Sequence, residues 1–182
     1  MESDEALYER LLRGEMAAFD RLYDRYERPL FGFIRRQLER DGTREAEDVL
    51  HEAFLAVLRE RAAGRAATTF RAWLFQVARN LCLNRLRSRR REARALGAVA
   101  LEPGVAEAGR APQPERALAH REAAESLRRA VAKLPGPLVE VYQLRAAGMS
   151  YDELAVVLAV PLGTVKSRIH EMVRRLREEM ER

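Results

Sequence analysis

Cysteine is nearly absent from this chain, which has only Cys82 among its 182 residues. A single thiol excludes an intramolecular disulfide framework and a metal cluster built from cysteines. Cys82 stands among apolar residues in a stretch with helical periodicity, a position typical of a buried thiol that packs as a small apolar group. We therefore expect Cys82 to fill the core.

Long apolar runs are lacking as well, because no segment approaches the ~20 residues that a transmembrane helix needs. The first five residues, Met1 to Glu5, are acidic and lack the basic-then-apolar order of a signal peptide. The sequence therefore predicts a cytoplasmic protein without membrane insertion.

Sequence motifs of catalysis are missing too. There is no Gly-rich phosphate loop, no nucleophile elbow and no pair of histidines with a carboxylate at zinc spacing. Glu47 and His51 stand four residues apart, but the other histidines, His120 and His170, fall in a different part of the chain. We predict that the protein is not an enzyme and that it binds no metal or other cofactor.

Basic residues are distributed unevenly along the chain, which has a net charge of +5. The segment from Arg79 to Arg94 holds seven arginines and one glutamate, and the segment from Pro161 to Arg177 holds five basic residues and one glutamate. Two local basic patches in a mildly basic chain favour nucleic-acid binding. Solvated helix faces are the alternative explanation.

Signals for β-strands are scarce, and apolar residues recur with helical periodicity in nearly every ordered stretch. One apolar stripe runs from Phe19 to Leu38, and Pro29 inside it should kink or divide the helix because proline removes a donor and clashes with the preceding turn. Further helices are predicted at 43–59 and from Thr69 onward.

The composition changes after Arg94. Residues 95–114 contain six alanines, three glycines and three prolines with little periodicity, which is typical of a linker. The sequence therefore predicts an all-α fold with two helical domains, at 1–94 and 118–182, joined by a flexible linker at 95–117.

The stretch from Ser150 to Arg177 predicts two helices joined by a tight turn. Ser150 and Glu153 have the spacing of a capping box, and Pro161 suits a helix start. This is the layout of a helix-turn-helix, whose second helix enters the DNA major groove, although an ordinary helical hairpin with a charged face is the alternative. The candidate DNA contacts on the second helix are Thr164, Lys166, Ser167, Arg168, His170, Glu171, Arg174 and Arg175.

A polar stripe follows the long helix of the first domain, with spacings of four, four, three and four residues. Amide and guanidinium groups pair with base edges, and arginine also binds phosphate, although a solvated face is equally compatible with the stripe. Trp73, beside it, either stacks on unpaired bases or fills the core. The candidate DNA contacts in this domain are Trp73, Gln76, Asn80, Asn84, Arg87 and Arg91.

The helix predicted at 43–59 carries an acidic face, although the protein as a whole is basic. Its members are Glu47, Asp48, His51 and Glu52. An acidic face does not suit DNA, so it indicates a docking surface for a basic partner, with a solvated face as the alternative.

Four segments in this order resemble the extracytoplasmic-function (ECF) subfamily of bacterial RNA polymerase sigma factors. They are A-A-F-D-R-L-Y-D-R-Y (Ala17 to Tyr26), A-E-D-V-L-H-E-A-F-L-A-V (Ala46 to Val57), F-R-A-W-L-F-Q-V-A-R-N (Phe70 to Asn80), and S-Y-D-E-L-A followed by P-L-G-T-V-K-S-R-I-H (from Ser150).

The resemblance implies a sigma factor that binds core RNA polymerase and directs promoter-specific initiation at −35 and −10 elements. The acidic helix would dock on a coiled coil of the polymerase β′ subunit. The first domain would melt the −10 element, with Asn80 and Asn84 holding extruded bases, and the second domain would read the −35 element. The chain is expected to be monomeric when free, and an anti-sigma factor is a further candidate partner. The alternative is a stand-alone helix-turn-helix regulator.

The sequence departs from the family pattern at several positions. His51 stands where glutamine is usual, which predicts a pH-sensitive polymerase contact, and Glu171 stands where a basic residue is common. Val156 replaces a charged residue and leaves an apolar outer face for an inhibitor. The segment Ala62 to Ala67 lacks the usual aromatic and Arg-Gly character of the base-capturing loop.

The spacing of two promoter elements bears on the linker. Elements two turns of DNA apart are separated by roughly 70 Å, whereas a free coil of twenty residues spans about 25 Å. We therefore expect the linker to be collapsed or disordered in the free protein and to thread along polymerase in the complex.

Overall fold

The computed structural model describes residues 2–38, 43–59, 69–95 and 117–181, and within them the chain is α-helical with no β-strand. The all-α prediction is confirmed. None of the helices in these ranges is long and apolar enough to cross a membrane. The helices are α1 (Asp4–Leu12), α2 (Met16–Leu38), α3 (Thr43–Arg59), α4 (Phe70–Ala95), α5 (Ala117–Ala132), α6 (Gly136–Ala146), α7 (Tyr151–Leu158) and α8 (Leu162–Met180).

Helices α1 to α4, the first domain, form a bundle in which α2, α3 and α4 pack against one another. Their apolar stripes face inward, as helical periodicity requires of amphipathic helices. Aromatic rings fill much of this core, with Phe33 and Phe75 centred 5.3 Å apart and Tyr23 and Phe54 4.6 Å apart. Cys82 is fully buried, as predicted.

Helix α2 continues without interruption from Met16 to Leu38, so Pro29 does not divide it, and the alternative of a kink at Pro29 stays a prediction. Proline removes the helical donor for the carbonyl of Arg25 and costs about 3 kcal/mol inside a helix. Pro29 lies on the exposed face, where water can satisfy that carbonyl, while its neighbours Tyr26 and Leu30 are buried. Tertiary packing of the apolar stripe therefore outweighs the local cost.

Helices α5 to α8 form the second domain, and the helix-turn-helix prediction is confirmed in its local details. The Ser150 hydroxyl accepts a hydrogen bond from the backbone of Glu153 at 3.2 Å, and the Glu153 carboxylate accepts one from the backbone of Ser150 at 2.8 Å. The turn places Ala159 in the left-handed region, with φ of 54°, and α8 starts after Pro161. Gly148, with φ of 81°, follows the end of α6.

The two domains pack against each other through α4 and α7, and their buried apolar residues form one connected cluster. No pattern in the sequence predicts this contact between the domains. The predicted linker, apart from its ends at Ala95 and Ala117, and the predicted loop at 62–67 lie outside the described residues. The expected behaviour of the linker therefore stays a prediction.

Candidate nucleic-acid and polymerase interfaces

The acidic residues of α3 lie together on its outer face. Glu47, Asp48 and His51 are exposed, and Glu52 is half-exposed, because Val49, Ala53 and Phe54 turn the opposite face into the core. The Glu52 carboxylate accepts a hydrogen bond of 3.0 Å from Arg85 on α4. The predicted residues therefore form one acidic surface, the α3 face.

Leu55 extends the α3 face by one turn, and sequence reasoning did not include it among the site residues. Its side chain is 46% exposed, which is unusual for a leucine beside a buried stripe. The signal was present in the spacing, since Leu55 follows His51 by four residues and so lies on the same side of the helix. An apolar group next to carboxylates gives a basic partner helix something to pack against.

Four of the predicted DNA contacts on α4 lie on its surface. Asn80, Asn84, Arg87 and Arg91 are exposed. Asn84, Arg87 and Arg91 line an open groove of about 520 Å³ that also includes Ser88, Arg90 and Arg94. Guanidinium groups in a shallow groove suit the phosphates of a nucleic-acid strand. Arg90 and Arg94 were missed, although their four-residue spacing places them on one side of the helix.

Trp73 does not belong to this surface, which corrects the prediction that it contacts DNA. It is 2% exposed, and its ring packs against Tyr8 and Phe70 with centroids 6.1 and 5.9 Å away. The residues on both sides of it, Ala72 and Leu74, are buried as well. Trp73 therefore fills the core, the alternative that the sequence left open.

Gln76 lies on the predicted stripe but is half-buried. Its side-chain amide donates a hydrogen bond of 3.0 Å to the backbone carbonyl of Val156 on α7. The face of α7 around Val156, expected from the sequence to be an apolar outer surface, therefore lies against α4.

The N-terminal half of α8 presents its polar side chains outward. Lys166, Ser167 and His170 are exposed, while Thr164 and Arg168 are half-buried and Val165 anchors the helix in the core. The Ser167 hydroxyl donates a hydrogen bond to the carbonyl of Thr164 at 3.0 Å. The structure brings these predicted residues together in the order that a recognition helix needs.

Further along α8, Glu171 neutralises two predicted DNA contacts. Its carboxylate accepts hydrogen bonds from Arg174 at 2.7 and 2.9 Å and from Arg175 at 2.5 Å. Hydrogen bonds from Arg174, and then from Arg175, lower the pKa of Glu171 to about 2. Arg174 also donates to Glu178 at 2.6 Å, so both arginines are held along the helix.

A second open groove, of about 640 Å³, follows the outer side of α8. It is lined by Lys166, His170 and Arg177 together with Tyr151 from the start of α7. Tyr151 is 39% exposed, and the guanidinium of Arg145 lies 5.4 Å from its ring centroid. Sequence reasoning did not single out Tyr151, the first residue of α7.

In the part of the chain that the structure describes, acidic and histidine side chains do not gather into a metal site. Among the described residues no group of three or more histidine, cysteine, aspartate and glutamate side chains is placed to hold an ion.

The comparisons with known proteins cover both domains. The family model for sigma-70 region 2 matches residues 22–92, and the model for sigma-70 region 4 matches residues 124–176. The chain is 34% identical to the RNA polymerase sigma-H factor of Pseudomonas aeruginosa over 173 residues, covering 92% of this chain and 89% of the relative. It is 30% identical to the ECF RNA polymerase sigma-E factor of Escherichia coli over 172 residues, covering 92% of this chain and 88% of the relative.

Two solved structures share the fold. One is the sigma factor RpoE in complex with the anti-sigma factor NepR from Bartonella quintana, with a TM-score of 0.68 and 22% identity, covering 90% of this chain and 96% of the other. The second is CnrH in complex with the cytosolic domain of CnrY, with a TM-score of 0.65 and 22% identity, covering 99% and 98%.

Proposed function

Because the chain belongs to the RNA polymerase sigma factors of the ECF subfamily, we propose a division of labour among its exposed faces. As a sigma factor it acts in transcription initiation, with core RNA polymerase and promoter DNA as its partners. Sigma factors are not enzymes as a class, and we propose that this chain likewise has no catalytic activity and works in the cytoplasm. The residue assignments below are part of the same proposal.

The α3 face is assigned to core polymerase. Glu47, Asp48 and His51 offer acceptors and negative charge to a basic helical surface, and the β′ coiled coil is the partner expected for this family. Leu55 adds apolar contact area at one end of the face. Glu52 contributes although it is paired with Arg85, because a solvent-exposed ion pair contributes little and is easily exchanged.

The groove on α4 is assigned to the −10 element. Asn80 and Asn84 are exposed and carry the amides that can pair with the edges of extruded bases. Arg87 and Arg91, one and two turns further along, supply positive charge for the adjoining phosphates. Base recognition and strand neutralisation therefore lie on one helix.

The N-terminal half of α8 is assigned to the −35 element. Lys166, Ser167 and Arg168 lie where a recognition helix meets base edges and phosphates. Each domain alone offers a small contact surface. Attachment of both domains to polymerase raises the effective concentration of the second contact once the first has formed.

One observation carries this function best: the acidic α3 face lies in the same bundle as the basic groove of α4. A stand-alone regulator has no use for an acidic docking surface beside its DNA contacts. An anti-sigma factor as a further partner remains a proposal, supported by the kind of complex in which RpoE of Bartonella quintana was solved.

The test is run-off transcription with purified bacterial core polymerase on a pool of genomic promoters, with and without the protein. We expect transcripts that depend on the protein. If a compatible core polymerase gives none, while the protein alone binds specific duplex sites, the stand-alone regulator is the better account.

Two substitutions then test the division between domains. Asn84→Ala should reduce promoter opening, measured by permanganate reactivity of unpaired thymines, more than closed-complex affinity. Arg168→Ala should weaken closed-complex affinity about tenfold or more, the effect of losing one base-directed arginine. Arg128→Ala, an exposed arginine of α5, is the matched control. Equal effects of Asn84→Ala and Arg168→Ala on both steps would contradict the assignment.

A further inference from the structure

Lysine is rare in this chain, although arginine is abundant. Of the 33 lysine and arginine residues, 31 are arginines and two, Lys133 and Lys166, are lysines. The guanidinium of an arginine stays protonated, whereas the amine of a lysine can lose its proton and act as a nucleophile. Covalent chemistry of side-chain amines is therefore confined to these two positions.

The two lysines have different surroundings. The side chain of Lys133 is 62% exposed, but its Nζ lies 2.5 Å from the carboxylate of Glu179. That carboxylate holds the amine and repels an anion that approaches it. Lys166 is exposed on α8 and forms no ion pair with any residue that the structure describes. Of the two amines, that of Lys166 is therefore the more open to an anionic reagent.

The groove of about 640 Å³ on the outer side of α8 brings a base close to Lys166. Lys166 and His170 both line this groove and are one helical turn apart. The carboxylates in its lining, Glu178 and Glu181, lie about 18 Å or more further along α8 by the rise per residue of a helix. Glu178 also accepts a hydrogen bond from Arg174. The groove therefore admits an anion beside Lys166, with the imidazole of His170 as a proton acceptor.

Lys166 also belongs to the surface assigned to the −35 element, next to Ser167 and Arg168. A lysine meets a DNA phosphate as a point charge. Acylation turns the ammonium group into a neutral amide and removes this charge. Val165 and Met172 anchor α8 in the core, so a modification of the exposed Lys166 would weaken the DNA contact without unfolding the helix.

We infer that Lys166 is an acylation site for acyl phosphates and that its acylation lowers the affinity of α8 for promoter DNA. In the reaction the neutral Nζ attacks the carbonyl carbon of the acyl phosphate. The new N–C bond forms an amide, the C–O bond to the phosphate breaks and phosphate leaves, and the proton of the amine passes to the imidazole of His170. No oxidant or reductant takes part. The consequence for DNA binding rests on the proposed function.

Incubation of the full chain with acetyl phosphate tests the site. Mass spectrometry of the digested protein gives the acetylated fractions of Lys166 and Lys133 in the same sample over time. A parallel incubation with N-acetoxysuccinimide, a neutral acetylating reagent, separates charge from accessibility. The rate ratio of Lys166 to Lys133 should be about fivefold higher with acetyl phosphate, which is the effect of one unit charge about 4 Å away in water. Equal ratios for the two reagents would overturn the inference.

Two variants test the physical reasons for this selectivity. Glu179→Gln removes the carboxylate beside Lys133 and should lower the acetyl phosphate ratio about fivefold by accelerating the reaction of Lys133. His170→Gln removes the proton acceptor and should slow the acetylation of Lys166 about tenfold, less than the roughly hundredfold that a base fixed in an active site contributes. Lys133 should not change in His170→Gln. An unchanged rate at Lys166 in this variant would overturn the proton transfer.

Fluorescence anisotropy of a labelled duplex, taken from a promoter recovered by run-off transcription, compares each protein before and after treatment with acetyl phosphate. The unmodified chain should lose about eightfold in affinity at about 0.1 M salt and about 0.9 in salt slope, the contribution of one phosphate contact. Lys133→Arg should lose as much. Lys166→Arg keeps every other amine and should show no change on treatment, and a loss equal to that of the unmodified chain would overturn the inference.

The failure of the inference and the failure of the proposed function give different results. Acetylation of Lys166 is measured without DNA or polymerase. A chain that is acetylated selectively at Lys166 but supports no transcription would contradict the proposed function. A chain that supports transcription but reacts with acetyl phosphate no faster at Lys166 than at Lys133 would contradict the acylation site alone.

Discussion

Glu171 accepts a hydrogen bond of 2.5 Å from Arg175, one turn further along the recognition helix. The same carboxylate holds Arg174, so two cations of α8 are partly neutralised before any DNA arrives. This pairing explains how a helix with several arginines can present a modest positive surface. A substitution of Glu171 should therefore change the affinity of α8 for DNA phosphates without removing a contact to a base.

Glu171→Gln should release these arginines toward phosphates. We expect tighter binding of the isolated protein to duplex DNA and a steeper salt dependence, by about one to two units of slope, because each additional phosphate contact contributes roughly 0.9. Fluorescence anisotropy of a labelled duplex over a range of salt concentrations measures both. Glu125→Gln, which frees an arginine on α5 instead, is the control, and an unchanged slope for Glu171→Gln would argue against the release.

The lowered pKa of Glu171 gives a dependence of stability on pH. A carboxyl group whose pKa falls on folding stabilises the protein above its unfolded value of 4.5, and this contribution is lost as the pH falls through about 2. The midpoint of urea unfolding of the unmodified protein should therefore exceed that of Glu171→Gln at pH 5, and the difference should shrink between pH 4.5 and 2. Since the group is exposed, we expect a small effect, and a difference that grows on acidification would contradict it.

Trp73→Ala tests the corrected position of the tryptophan. Removal of a buried aromatic ring typically costs about 3–5 kcal/mol, whereas Asn80→Ala on the exposed stripe should change stability by less than about 0.5 kcal/mol. Urea unfolding followed by circular dichroism compares them, since Trp73 is the only tryptophan and its fluorescence is lost in the variant. Trp73→Ala with unchanged stability and impaired promoter opening would restore the base-stacking role.

The features that sequence reasoning predicted correctly depend on neighbours in the chain. The capping box of Ser150 and Glu153 is set by two residues only three positions apart. The apolar stripe of α2 is equally local, and only the division of this helix at Pro29, one of the two expected effects, was wrong. Amphipathic periodicity also placed the α3 face correctly, because one helix presents its polar side whatever packs on the other.

The features that sequence reasoning missed depend on contacts between segments that are distant in the chain. Helix α1 is short, and it is held by Tyr26, which donates a hydrogen bond to Asp4. Burial of the Tyr26 ring raises the pKa of its hydroxyl, and the hydrogen bond to Asp4 raises it further. No local pattern links residues so far apart. For the same reason, periodicity placed Gln76 and Asn80 on one stripe but could not show that α7 covers only Gln76.

We predict that His51 makes the polymerase contact dependent on pH, since a histidine side chain as a residue type changes charge near neutrality. It lies on the α3 face with Glu47, Asp48 and Glu52, and Arg85 on α4 is paired with Glu52. Protonation of His51 would place a positive charge on an acidic surface that docks on a basic partner. Like-charge repulsion should then weaken binding as the pH falls.

The measurement is the affinity for core polymerase between pH 6 and pH 8, with His51→Gln as the comparison. A proton that is bound only by the free protein changes affinity by at most tenfold per pH unit, so a loss of about threefold to tenfold toward pH 6 is expected. His51→Gln keeps a polar side chain of similar reach and should flatten the profile. Polymerase titrates as well, so only the difference between the two proteins counts. Parallel profiles would show that His51 plays no part in the contact.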